Sequence, residues 1–296
     1  MYLAVLKSKL QMKPNILLRS AIVACLCFPA SLAVAQQPSL TLEKQWETDT
    51  IMQVPESVYY DAKRNVLYVA NIQGASNEKD GRGFISRLSP EGKVLEMEWV
   101  SGLNAPKGMG IYKNRLYVAD LTDIVVIDIA QGSIVQRIPV AGSVFLNDIA
   151  IDNKGTVYVS DTRVGKVHRY KHGEVTTLLE GLKGPNGLLL LPGGAFYVLA
   201  DGALFQLQQD NTLKKLADVS KSVDGIEPVK PGEFIVSCWP GEVFYVDAGA
   251  GTATKLLDTR DKGLNTADIG YNPQEKIVYI PTFNGNTVAA YVLKGI

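Results

Sequence analysis

From residue 50 onward the chain repeats one hydrophobic pattern: an apolar run, a short polar turn, then an alternating run centred on Tyr-Val that ends in a small or acidic residue. The second runs read NVLYVAN, NRLYVAD, GTVYVSD, GAFYVLAD, GEFIVSC and KIVYIPT. Strict alternation over five or six residues, rich in Val, Ile and Tyr and bounded by Gly, Asn and Asp, predicts β-strands rather than helices. The segment from 147 to 181 shows a whole unit, with strand-like runs IAID, TVYVSD, KVHRYK and VTTLLEG separated by turns.

Aligning the mouths of the first strands sets Glu56, Lys107, Asn147, Asn186, Asp224 and Ala267 in register, at spacings of 51, 40, 39, 38 and 43 residues. The first interval is longer because a polar, Gly-rich insertion, IQGASNEKDGRG, occupies 72–83. A period near forty with four strands per unit predicts an all-β, six-bladed β-propeller. The last unit has only three strands before the chain ends. The alternating segment SLTLEKQWET at 39–48 is expected to supply the fourth and so close the ring without an open edge.

In a propeller, equivalent positions on the first strands surround one axis. Two carboxylates (Glu56, Asp224) and two amides (Asn147, Asn186) would then share a channel mouth with Lys107. Hard oxygen donors of this kind suit Ca2+, with Mg2+ or Mn2+ as alternatives, and two negative charges balance a divalent ion. Taken singly, Asn147, Asn186 and Asp224 read as turn formers before Asp or Gly; jointly, at equivalent positions of a closed ring and with Glu56, which is no turn former, they favour a functional site. Asp148 and Asp268 follow register positions and are expected at the channel rim. Asp120, Asp161 and Asp201 end second strands and are expected to cap the turns that follow. His168 and His172 fall on the outer half of the third unit and read as surface residues.

The motifs PESVYYD, LNDIAID, GPNGLLLL and VDGI, over residues 50–296, resemble the senescence-marker-protein/gluconolactonase family of six-bladed propellers. There is more distant similarity to paraoxonases, strictosidine synthases and NHL repeats. That resemblance implies a lactonase or esterase with a divalent metal, often calcium, held by Glu56, Asn147, Asn186 and Asp224. Where sugar-lactone members commonly carry Arg, two residues before the Asn-Asp pair, this chain has Phe145. The expected chemistry is metal-dependent hydrolysis of a small lactone or ester, the ion polarising the carbonyl and acidifying a water. Asp224 or Asp148 would act as general base and Lys107 as oxyanion donor, with Phe145 and Asp268 touching substrate. The alternative is a non-catalytic, NHL-like propeller that binds a protein or small ligand on its loop face, with Lys107 paired to Glu56 or Asp224 in a metal-free channel.

Composition narrows the setting. Residues 12–35 carry Lys13 and Arg19, then an apolar run from Ala21 that ends Ala33-Val34-Ala35, the pattern of a secretory signal peptide. That run of roughly 15 residues is shorter than the ~20 needed to span a bilayer. Cleavage after residue 35 would leave a 36–296 domain destined for the periplasm or the extracellular space. It removes Lys7, Lys9, Lys13 and Arg19 and no acid, taking the balance from 30 minus 30 to 26 minus 30, a net charge of −4. A mildly acidic domain without a basic cluster is a poor partner for nucleic acid. Cys238 would be the only remaining cysteine, which excludes an internal disulfide in the mature domain. Met12 is an alternative start.

Overall fold

The computed structural model describes residues 39–296, and the expected signal peptide lies outside the described residues. Twenty-four strands form six four-stranded antiparallel sheets arranged as a six-bladed β-propeller. The first strands of the blades are Pro55–Asp61, Pro106–Tyr112, Leu146–Ile151, Leu188–Leu190, Val223–Lys230 and Gly270–Asn272. Among the described residues no helix is long and apolar enough to cross a membrane.

The hydrophobic core is a ring of seams between blades, not a central ball. Tyr68, Ile85 and Val100 of the first blade pack with Met109, Leu116 and Val125 of the second. Similar clusters join each following pair, and Met52, Val58 and Val69 meet Tyr279, Val288 and Ala290 where the last blade meets the first. A sheet covered on both faces reads as a continuous apolar run, which explains why Leu67 to Ala70 are all fully buried despite their alternating pattern. The same double cover corrects the reading of His168. It lies on the third strand of its blade, Lys166–Lys171, at only 4% exposure, and burial depresses its imidazole pKa. His172 sits exposed in the next turn.

The last blade is completed from the other end of the chain. Strand Thr41–Glu47 pairs antiparallel with Val288–Lys294, Thr41 opposite Lys294 and Glu47 opposite Ala289. A bulge between Lys44 and Trp46 shifts the alternation, so Leu42 and Trp46 are the half-buried positions. Trp46 Nε1 donates to Pro90 O at 3.1 Å, and Thr287 Oγ1 donates to Glu47 Oε1 at 2.6 Å. Deleting 39–48 strips this ladder and uncovers an edge. The expected loss is about 3 kcal/mol, from two partly buried apolar side chains and a strand of backbone bonds. For a domain this size that is a fall of roughly 6–12 °C in Tm. A thermal melt of the truncated protein at unchanged Tm would show that the closure contributes nothing.

Candidate functional site at the channel mouth

In the first three blades the mouth loop is fixed by the end of the blade's own second strand. Asp120 accepts from the amides of Asn104 and Ala105 at 2.8–3.0 Å, and Asp161 accepts from Val144 and Phe145 at 2.8 and 3.1 Å. Asn71 Oδ1 accepts from Gln53 N at 3.0 Å. These amides stand two or three residues before Lys107, Asn147 and Glu56. Of the strand-ending Asp residues expected to cap the turn that follows, Asp161 does so weakly, accepting from Val164 N at 3.4 Å, while the Asp120 carboxylate instead clamps the loop leading into the first strand, as Asp161 does too. Asp201 differs: it is exposed and lies 3.3 Å from Lys183.

Above these clamps opens a cavity of about 650 Å³, lined by Glu56, Lys107, Asn147, Asn186 and Asp224 together with Phe145, Trp239 and Phe283. Five register positions therefore meet in one space. The sixth, Ala267, is fully buried and carries no donor.

The polar atoms of this floor are oriented by their neighbours. Asn147 Nδ2 donates to Thr162 Oγ1 at 3.0 Å, and Thr162 Oγ1 donates onward to Pro185 O at 2.8 Å. With the hydroxyl proton spent on a carbonyl, Thr162 can only accept from Asn147, so the amide cannot flip and its Oδ1 is left to the cavity. Asn186 Nδ2 donates to Val223 O at 3.2 Å and to Asp224 Oδ1 at 2.9 Å. Its own Oδ1 is buried without a partner, and so is Glu56 Oε2. An unsatisfied buried acceptor costs about 1–3 kcal/mol, and these two line the same cavity, where a bound cation would satisfy both. Burial pushes Glu56 up to about 8, and burial together with the charges of Glu56, Asp268 and Asp148 holds Asp224 well above the ordinary carboxylate range. Among the described residues no trio of His, Cys, Asp or Glu converges as a metal-binding group. The candidate set has only two carboxylates and completes itself with amides, a composition suited to calcium rather than zinc.

Lys107 is 1% exposed, and among the described residues it forms no ion pair with Glu56 or Asp224. Its Nζ donates to Ser76 O at 3.1 Å and Ala105 O at 2.8 Å and lies 4.4 Å from the Phe145 ring centroid. Ser76 belongs to the 72–83 insertion, so that segment holds the ammonium in place. An ammonium has three donors, and two carbonyls leave one. Burial lowers its pKa to about 8, against the attraction of Glu56.

Asp148 and Asp268 do not join this set. Successive residues of a strand face opposite ways, and these two line a second cavity of about 270 Å³ further along the channel, with Ser57, Tyr59 and Glu227. Asp148 accepts from Leu188 N and Ile149 N, both at 2.6 Å, and Asp268 accepts from Ser57 Oγ at 2.6 Å. Gly108 and Gly225 are the neighbours that make room, since a Cβ on either would sit 2.3 or 2.5 Å from an Asp oxygen. Asp148 and Asp268 thus stitch neighbouring blades together below the floor, away from the expected rim. Trp239 and Phe283, in edge contact at 5.5 Å between centroids, were not expected at the site. They lie on loops after second strands, where no periodic signal marks them.

No family model matches the chain. Strictosidine synthase-like protein 3 of Arabidopsis thaliana is 30% identical over a stretch that covers 31% of this chain and only 30% of the plant protein. Among solved structures, a candidate gluconolactonase superposes at TM-score 0.64 with 15% identity, covering 86% of this chain and 93% of its own. A Bacteroides thetaiotaomicron protein of unknown function reaches 0.63 at 15% identity, covering 86% and 76%. A chain of the nidogen–laminin complex reaches 0.61 at 16% identity, covering 74% and 84%. At such identities these likenesses establish the propeller fold, which catalytic and purely binding proteins share.

Proposed function

We propose that the protein is a divalent-metal-dependent hydrolase of lactones or related esters that works outside the cytoplasm once residues 1–35 are removed. The observation that carries this reading is the pair of buried, unpartnered acceptors, Glu56 Oε2 and Asn186 Oδ1, on the floor of an open cavity. Glu56, Asn147, Asn186 and Asp224 are the residues that would hold the ion, calcium first. When bound, it supplies Lewis-acid polarisation of an acyl oxygen. The remaining Lys107 proton would donate to negative charge developing on the substrate's acyl oxygen, worth a few kcal/mol when the donor is preorganised. Asp224 keeps an oxygen free of Asn186 and can accept a proton from attacking water. Asp148, with both oxygens engaged by backbone amides, is the weaker base.

The test is elemental analysis of purified protein, then a lactone and ester panel with and without chelator. Metal-dependent hydrolysis supports the proposal. A metal-free protein that cleaves nothing leaves a binding propeller. Phe145 gives a specificity expectation: an aromatic ring in this wall favours apolar lactones over polyhydroxylated ones. Phe145→Arg should shift the ratio of kcat/KM between an alkyl lactone and an aldonolactone toward the sugar by about tenfold, the scale of one or two lost or gained contacts. Preference for the aldonolactone already in the wild type would overturn that expectation.

A further inference from the structure

The cavity mouth carries cations that no acid answers. Lys183 is matched by Asp201 at 3.3 Å. Glu56 and Asp224 are committed to the floor, where a divalent ion would neutralise both. What remains is Lys107, whose nitrogen meets only carbonyls and the Phe145 ring. Lys221 lines the cavity exposed. Exposed Arg163 lies over the same Phe145 ring, its guanidinium carbon 4.4 Å from the ring centroid. Among the described residues neither Arg163 nor Lys221 forms an ion pair, although surface cations elsewhere on this protein commonly do, as Arg64 does with Asp61 and Arg82 with Asp80.

The apolar part of the same mouth is aromatic. The Phe145 ring has two cations, Lys107 and Arg163, each 4.4 Å from its centroid, and its backbone is clamped by Asp161. Trp239 remains 38% exposed although it packs edge-on against Phe283, and both line the cavity. Phe283 takes φ 48°, a left-handed conformation that a bulky residue adopts only at a cost. An aromatic pair left open to water beside unanswered cations has the chemistry to receive a flat apolar group that carries an anion.

We propose that the preferred ligand of this mouth is an aromatic or similarly flat ester or lactone bearing a carboxylate of its own. The ring lies against the Trp239–Phe283 surface, and the acid meets Arg163 and Lys221. This deepens the hydrolase reading and rests on it for the word ester, while the charge and ring selection is a property of binding alone.

Three probes separate the parts in calorimetric titrations of the full protein with calcium present: 2-naphthoate, 2-naphthamide and gluconate. Naphthoate should bind about tenfold more tightly than naphthamide, and gluconate more weakly than naphthoate. Rim charges contribute modestly and are screened by salt, so the naphthoate advantage should shrink between low and high ionic strength. In the double variant Arg163→Gln, Lys221→Gln, naphthoate affinity should fall at least fivefold with naphthamide unchanged. Both substitutions are on exposed side chains, so the fold is preserved. Trp239→Ala should weaken naphthoate and naphthamide together. Equal affinity for naphthoate and naphthamide overturns the proposal. So does a double variant with full naphthoate affinity, which would place the carboxylate on the floor metal instead. Tighter binding of gluconate removes the aromatic part. Expected binding with no ester cleaved leaves this ligand class standing and removes the hydrolase.

Discussion

Glu56→Gln is expected to make the metal-free protein more stable at pH 8 and to abolish most of its stabilisation by calcium. The net displacement of Glu56 to about 8 already includes the attraction of Lys107, so on balance the site disfavours the carboxylate charge. A neutral isostere removes that penalty, worth on the order of 3 kcal/mol, while a partly unsatisfied amide returns about 1 kcal/mol of it. The net gain of about 2 kcal/mol is a rise of roughly 4–8 °C in Tm. Calcium at about 100 times its dissociation constant should add about 2.7 kcal/mol to the wild type by mass action, and little to the variant. Asp224→Asn should behave alike, because burial and the Glu56 charge push its pKa the same way. A binding site that costs stability when empty is the expected signature of function traded against stability. Thermal melts with and without calcium read both effects. A destabilised metal-free Glu56→Gln protein, or one that keeps the full calcium shift, would show that this carboxylate is structural.

The architecture was legible in the sequence because each blade restates the same strand pattern, and a period near forty admits few closed solutions. Even the closure could be read, from the alternation of Leu40 and Leu42 outside any repeat of their own. The bringing together of Glu56, Lys107, Asn147, Asn186 and Asp224 followed from register alone. Asp148 and Asp268 were misplaced although the needed rule was at hand, since a residue next to a mouth position must face the other way. His168 was misread because outer strands were assumed to be wet, whereas a blade wedged between neighbours has two covered faces. The clamps made by Asp120 and Asp161 were visible as residues but not as partners, because their amides belong to a loop fifteen to seventeen positions earlier. Trp239 and Phe283 had no signal, as loop conformation rather than periodicity brings them to the mouth.

In the metal-free protein, Tm is expected to fall as pH rises from about 5 to 8. Burial raises the folded-state pKa of Glu56 to about 8 and of Asp268 to about 7, and holds Asp148 and Asp224 well above their ordinary values. For such a group the folded state holds its proton more tightly than the unfolded state. Its contribution is fully present below the unfolded pKa, near 4, and is lost as pH climbs through the folded value. His168 works the other way, since burial lowers its pKa and its folded form favours the neutral ring as pH rises. One buried imidazole opposes these four acids and Glu227, whose pKa burial also raises, so the acids set the sign. Above pH 8 the trend should level, because Lys107, lowered to about 8, then sheds its buried charge. Since Glu56 alone contributes on the order of 3 kcal/mol, the fall across the window should be at least about 6–12 °C for a domain of this size. Calcium should reverse it, and its stabilisation should grow with pH because the ion competes with protons for Glu56 and Asp224. Melting curves at half-unit intervals, with chelator and with calcium, give both trends. A flat or rising profile in chelator would mean that the buried acids are already compensated without a metal, which would remove the physical ground for a cation at the channel mouth.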